Sequence, residues 1–153
     1  MGMKTHFAGA VIVKEERNLV SVILQGSISI DRRFRTFGKL VYKFPGGTNT
    51  DYPKDWDTRK TLRREIKEEL GLHLKRGVNP RRLCTISEGQ HTKVFFVLRD
   101  TDLEGHLRDK EIVDGLTLLR VPEWVQIDKA VGMIYESHLP VITEVKKYLG
   151  LMG

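Results

Sequence analysis

The chain has 153 residues, 40% of them hydrophobic, with 26 Lys and Arg against 20 Asp and Glu for a formal charge of +6. That length suits one domain around a single core, residues 1–153, and the composition excludes a disordered or fibrous protein. No apolar run approaches the ~18 residues a membrane helix needs, and the single cysteine, Cys84, excludes an internal disulfide framework and every multi-cysteine zinc pattern.

"FAGAVIVK" (7–14) and "LVSVILQ" (19–25) are β-branched apolar runs joined by the polar "EERN", and they predict two strands with a short turn. A long connection rich in Gly, Ser and Arg follows over 26–39. "LVYKF" (40–44) is a short strand that runs straight into "PGG" (45–47). "TNTDYPKDW" (48–56) has the polar, aperiodic composition of a loop. Asp57 or Thr58 then caps a helix that ends at Gly71, with Leu62, Ile66 and Leu70 forming its core stripe. "RRLCTIS" (81–87), "TKVFFVLR" (92–99) and "LTLLRV" (116–121) predict three more strands. A last helix follows His138, with Pro140 in its first turn and Val141, Ile142, Val145, Tyr148 and Leu149 at helical spacing before Gly150. Strands interrupted by one central and one terminal helix imply a mixed sheet covered on two faces.

No signal-peptide pattern precedes the first strand, so a reducing, cytoplasmic setting is expected. Cys84, in the apolar "LCTI", reads as a buried structural thiol. The excess of positive charge favours an anionic partner, whether a nucleotide, RNA or an acidic surface.

The central helix carries the densest signal. In "RREIKEELGL" (63–72), Glu68 and Glu69 lie about 60° and 40° either side of Glu65 at ~100° per residue, so the three acids share one stripe. Like charges at such spacing cost only about 0.2–0.5 kcal/mol per pair, so a solvated face would also tolerate them. Context separates the two readings: Arg64 precedes the first acid, Gly71 follows the last, and "PGG" sits upstream at a strand end.

That arrangement resembles the signature of the Nudix hydrolase family, G-x(5)-E-x(7)-R-E-U-x-E-E-x-G-U, where U is a bulky aliphatic residue. Arg64, Glu65, Ile66, Glu68, Glu69, Gly71 and Leu72 fill its second half at every fixed position. "YKFPGG" (42–47) is similar to the family's aromatic-x-aliphatic lead-in to Pro-Gly-Gly, with Phe44 in the aliphatic place. One departure stands out. The stretch from Gly47 to Arg64 is three residues too long, and the signature's isolated glutamate falls on Trp56, between Asp55 and Asp57.

The resemblance implies an α/β fold, a Nudix-type α/β/α sandwich with a mixed sheet between helices. It implies a metal-dependent hydrolase that cleaves a pyrophosphate linkage in a nucleoside diphosphate linked to another moiety. The alternative is a weak or inactive Nudix-like domain that binds a nucleotide or RNA. Mg²⁺ is the implied cofactor, with Mn²⁺ as a substitute. Glu68 and Glu69 would be primary ligands, and Glu65 a further ligand or the water-activating base. Arg64 would orient the glutamates, and a carbonyl of Gly46 or Gly47 would complete the site. The base can also come from a later loop, where Glu111 in "RDKEIVDGLTLLRV" is the leading candidate and Glu88 and Asp114 follow.

The chemistry is consistent with those residue types. Divalent cations offset phosphate charge and lower the pKa of water, Mg²⁺ takes oxygen ligands, and a Gly-Gly pair permits close backbone approach. Outside the motif, "DRRFRTFGK" (31–39) interleaves Arg32, Arg33 and Arg35 with Phe34 and Phe37, which suits phosphate contact and base stacking. Arg33, Arg35, Phe37 and Trp56 are therefore candidate substrate contacts. The plainer alternative is a basic loop with its phenylalanines tucked inward and Trp56 covering the helix start. The five histidines show no metal spacing. Expected partners are a small nucleotide-type substrate, with RNA left open, no membrane, and a monomer or homodimer.

Overall fold

The computed structural model describes residues 5–49 and 57–150. β1 (Thr5–Glu16) and β2 (Leu19–Asp31) are the two longest strands and form an antiparallel hairpin. Its turn places Arg17 and Asn18 at φ 51° and 66°, the left-handed pair that lets a two-residue turn follow the twist of its strands.

Beyond this hairpin the two strands part. The start of β1 pairs with β5 (Gly46–Thr48), in the register Ala8↔Gly47 and Gly9↔Gly46. The far half of β2 instead pairs with β3 (Thr36–Phe37), β4 (Val41–Lys43) and β11 (Thr117–Leu119), while β12 (Glu123–Gln126) pairs with its first half. The other edge of β1 takes β8 (His91–Arg99) in parallel, and β7 (Arg81–Glu88) follows antiparallel. With β10 (Ile112–Asp114) beside β11, the order is β10-β11-β2-β1-β8-β7. β6 (Leu72–Leu74) and β9 (Leu103–Gly105) form a separate two-stranded ribbon.

Side chains of β1 alternate between two cores, as the period of a strand requires. Ala8, Ala10 and Ile12 pack with Leu62, Ile66 and Leu70 of the central helix. Val11 and Val13 face the opposite way, onto α2 (Ile127–Met133) and α3 (Leu139–Tyr148) through Ala130, Val141, Ile142 and Val145. The molecule is therefore a mixed sheet between helices, as expected. Among the described residues, no helix is long and apolar enough to cross a membrane.

The central helix begins at Asp57, whose side chain accepts the Arg59 N–H, and runs as α1 (Thr58–Glu65). Its last turn, Ile66–Leu70, is a π-helix that closes on Gly71 at φ 72°.

Four expectations need correction. The connection assigned to 26–39 is strand as far as Asp31, because Ile28 and Ile30 continue the alternation and find partners in β11 and β3. Phe34 and Phe37 are not tucked inward; they are 68% and 70% exposed. α2 was not foreseen, a short helix that buries Ile127 and Ala130 and packs Met133 against the core. Cys84 is half-buried rather than buried, and burial still lifts its thiol to about 11, far from a reactive thiolate.

Candidate metal centre

The site lies where β1 and β2 separate. β5 fills the gap beside β1, and the end of the central helix packs over it. A cavity of about 530 Å³ opens there, walled by β2, β5, the helix and the β10–β11 hairpin. Arg64, Glu65, Glu68, Glu69, Gly46 and Gly47 all line it, joined by Gln25, Lys43 and Asp114.

Glu65 and Glu69 are buried, whereas Glu68 is exposed at the rim. The π turn begins just after Glu65. Its wider winding departs from the α-helical angle that would set Glu68 and Glu69 on either side of Glu65, and such turns concentrate at functional positions. Asp114, itself exposed on the β10–β11 hairpin, supplies the third carboxylate. Ligand atoms of Glu65, Glu69 and Asp114 all lie within 4.8 Å of one another.

The two buried acids are held from different sides. The Arg64 guanidinium donates to Glu65 Oε1 at 3.0 Å and, through the same nitrogen, to the Thr48 carbonyl at 3.2 Å, clamping helix to β5. Among the described residues, Glu65 Oε2 is buried without a hydrogen-bond partner. A Cβ on Gly47 would collide with the Glu65 carboxyl group, so a side chain there would close the approach. Glu69 Oε1 accepts the Gly46 N–H at 3.2 Å and the Gln25 amide.

Arg108 organises this last contact. Its Nε donates to the Glu69 carbonyl at 2.6 Å, and its Nη2 donates to Gln25 Oε1 and to the Arg120 carbonyl, each at 3.0 Å. Because Gln25 Oε1 is taken by Arg108, the amide nitrogen is left to face Glu69.

Burial pushes the Glu69 carboxyl up to about 8, with the Glu65 charge adding to the rise. Glu65 is raised too, chiefly by burial and against the pull of Arg64. Lys43, also on the cavity wall, is lowered by burial and by the Lys93 charge, while Glu69 acts in the opposite sense. Two buried acids that resist ionisation together, one of them with an unpartnered oxygen, form a set that a cation would relieve. An all-oxygen donor set suits Mg²⁺ or Mn²⁺ rather than a soft metal.

Other candidates lie elsewhere. Glu111, the leading later-loop candidate, pairs at 3.7 Å with Arg120 and does not line the cavity; Asp114, three residues on, does. The difference comes from the tight β10–β11 turn, where Asp114 opposes Thr117 at the cavity end. Glu88 pairs with Lys93. Arg33 and Phe37 line a separate groove, with Arg35 on the same turn. Trp56 and Asp55 lie outside the described residues, and Asp57 is spent on the helix cap. Sequence reasoning missed Gln25, Lys43 and Arg108. Gln25 alone left a trace, as a polar residue closing an apolar strand run.

No family model and no curated protein matches the chain. Solved structures do. The Nudix domain of Shewanella oneidensis NrtR complexed with ADP ribose is similar at a TM-score of 0.67, with 15% identity over 97% of this chain and 90% of that one. A mutT/nudix family protein from Listeria innocua gives 0.63, with 12% identity over 98% and 96%. A C. elegans Ap4A hydrolase gives 0.52, with 13% identity over 96% and 99%. The class the architecture defines is thus the α/β/α sandwich with a carboxylate-lined cleft. The chain has the Nudix fold.

Proposed function

We propose that this chain is a Nudix hydrolase: a metal-dependent enzyme that splits a pyrophosphate linkage in a nucleoside diphosphate joined to another moiety. Water adds to one phosphorus and the bridging oxygen leaves with the other. The products are two phosphorylated fragments, or a monophosphate and pyrophosphate. One observation carries the reading: Glu65, Glu69 and Asp114 converge within 4.8 Å against a strand whose Gly47 has no side chain to obstruct them.

Glu65, Glu69 and Asp114 would hold Mg²⁺, or Mn²⁺ in its place, with Glu68 reaching in from the rim and a carbonyl of Gly46 or Gly47 as a further oxygen. Such an ion offsets phosphate charge and makes water more acidic. The protein's own groups do the rest. Arg64 fixes Glu65 in one rotamer, and Gln25 and Gly46 do the same for Glu69. Lys43, on the same wall, supplies a positive charge to the substrate phosphates. Glu65 Oε2, which accepts no hydrogen bond among the described residues, has capacity left for the ion or for the proton of the attacking water. Asp114 takes the later-loop place for which Glu111 was the sequence candidate. The ADP ribose bound in one neighbour and the Ap4A hydrolase activity named for another support a nucleotide-type substrate.

A panel of nucleoside diphosphate derivatives with Mg²⁺ or Mn²⁺ tests the proposal. At least one member should release a nucleotide product, and Glu69→Gln should abolish that release. Turnover that survives in Glu69→Gln would refute the assigned site. Trp56, standing where the signature has its isolated glutamate, favours a second reading, a binding domain without turnover. Tight, metal-independent nucleotide binding with no product from any substrate would select it.

A further inference from the structure

β2 carries the chain away from the acidic cavity. Ser27 lines that cavity, and Ser29, on the same face of the strand, lines a second groove of about 700 Å³. Arg32, Arg33, Phe37 and Leu116 also line this groove.

The turn that bounds it is built from local contacts. Asp31 Oδ1 accepts the backbone N–H groups of Arg33 at 3.0 Å and Phe34 at 3.2 Å, and Arg35 takes a left-handed φ of 53°. Thr36 and Phe37 then return as β3 against Ile30 and Asp31. The result presents Phe34 and Phe37 to solvent at 68% and 70% exposure, beside an exposed Leu116, with the Arg33 guanidinium over the Phe34 ring at 5.6 Å. Among the described residues, Arg32, Arg33, Arg35 and Lys39 form no ion pair with any carboxylate. The one acid in the segment, Asp31, uses Oδ1 on the backbone.

We propose that the 31–39 turn and its groove bind single-stranded nucleic acid, at a surface distinct from the acidic cavity. Guanidinium groups interleaved with exposed aromatic rings match the two repeating features of such a strand, its phosphates and its base faces. A second copy of the chain would bring the same positive turn against this one, and like charges in apposition disfavour that pairing. A bilayer prefers a convex apolar tip, whereas Phe37 and Leu116 lie in a concave wall. The inference does not depend on hydrolysis in the acidic cavity.

The test is fluorescence anisotropy of a labelled oligouridylate with the full chain in EDTA, which removes divalent cations from the measurement. The strand should bind, with log K falling against log salt at a slope of about −2, since each neutralised phosphate of a single strand contributes about 0.7. Arg33→Gln should flatten that slope by about 0.7. Phe37→Ala should weaken binding about 5- to 150-fold, as loss of one stacked base does, and Phe37→Tyr should restore it. Arg76→Gln, an exposed cation on another face, should change affinity little, and thermal melts should show all four variants folded. No binding at low salt would overturn the proposal. So would a loss in Arg76→Gln equal to that in Arg33→Gln, or capture by phosphatidylserine vesicles without capture of the oligonucleotide.

Discussion

Glu69→Gln in the metal-free protein tests the electrostatics of the inner carboxylates directly. Glu69 rises from 4.5 to about 8 on folding, through burial and then the charge of Glu65. The sign follows from proton linkage: a carboxyl held protonated in the fold but ionised in the unfolded chain binds more protons when folded. Its contribution to stability is therefore complete below about pH 4.5 and is lost as pH rises through about 8. At about 1.4 kcal/mol per pH unit, the whole window is worth at most about 5 kcal/mol. For a chain of this size that is on the order of 10 °C in Tm. Glutamine keeps an oxygen where the Gly46 N–H and the Gln25 amide donate and removes the ionisation. Melting curves in EDTA from about pH 5 to about pH 9 should show wild-type Tm falling more steeply than that of Glu69→Gln, with the variant the more stable at the alkaline end. Saturating Mg²⁺ should stabilise wild type and leave the variant nearly unchanged, because a bound ion adds stability only to the state that binds it. Parallel pH profiles for the two proteins in EDTA would refute the reasoning.

Gly47→Ala places a methyl group against the Glu65 carboxyl and should cost most of the Mn²⁺ affinity measured by calorimetry; affinity within a factor of about two of wild type would contradict the close approach. Arg108→Gln releases both the Glu69 carbonyl and the Gln25 amide and should lower metal affinity or kcat about 10- to 100-fold, the range typical of groups that orient metal ligands. A Mg²⁺ activation curve identical to wild type would oppose that role. His138 is driven down to about 3 by burial and by the charges of Lys93 and Lys43. Its neutral ring accepts the Phe44 N–H and stacks on the Phe44 ring. Stability from this group is present above about pH 6.5 and lost as pH falls toward 3, so acid unfolding should be less steep in His138→Gln.

The layers of the fold were legible because they rest on long apolar runs: β1, the first half of β2, β8, α1 and α3 all declare their period. Elements completed by distant partners were not. The outer half of β2 is a strand because β3, β4 and β11 meet it, while its own "GSISIDRR" carries loop composition. β6 and β9 are three residues each, too short for any alternation to register. At the site, Arg64, Glu65, Glu69 and the glycine pair were readable from local order. Asp114 was ranked below Glu111 because its place at the cavity wall depends on a hairpin turn. Gln25 and Arg108 are 83 positions apart, and nothing in either neighbourhood points to the other. The π turn that carries Glu69 inward leaves the residue spacing unchanged, so only coordinates reveal it.

The central claim is that one divalent ion sits among Glu65, Glu69 and Asp114 beside the glycine strand. Anomalous diffraction from crystals soaked in Mn²⁺ addresses it most directly. The account predicts a manganese peak within bonding distance of all three carboxylates, absent in Glu69→Gln. A peak held by other residues, or none beside Glu65 and Glu69 at saturating Mn²⁺, would contradict it.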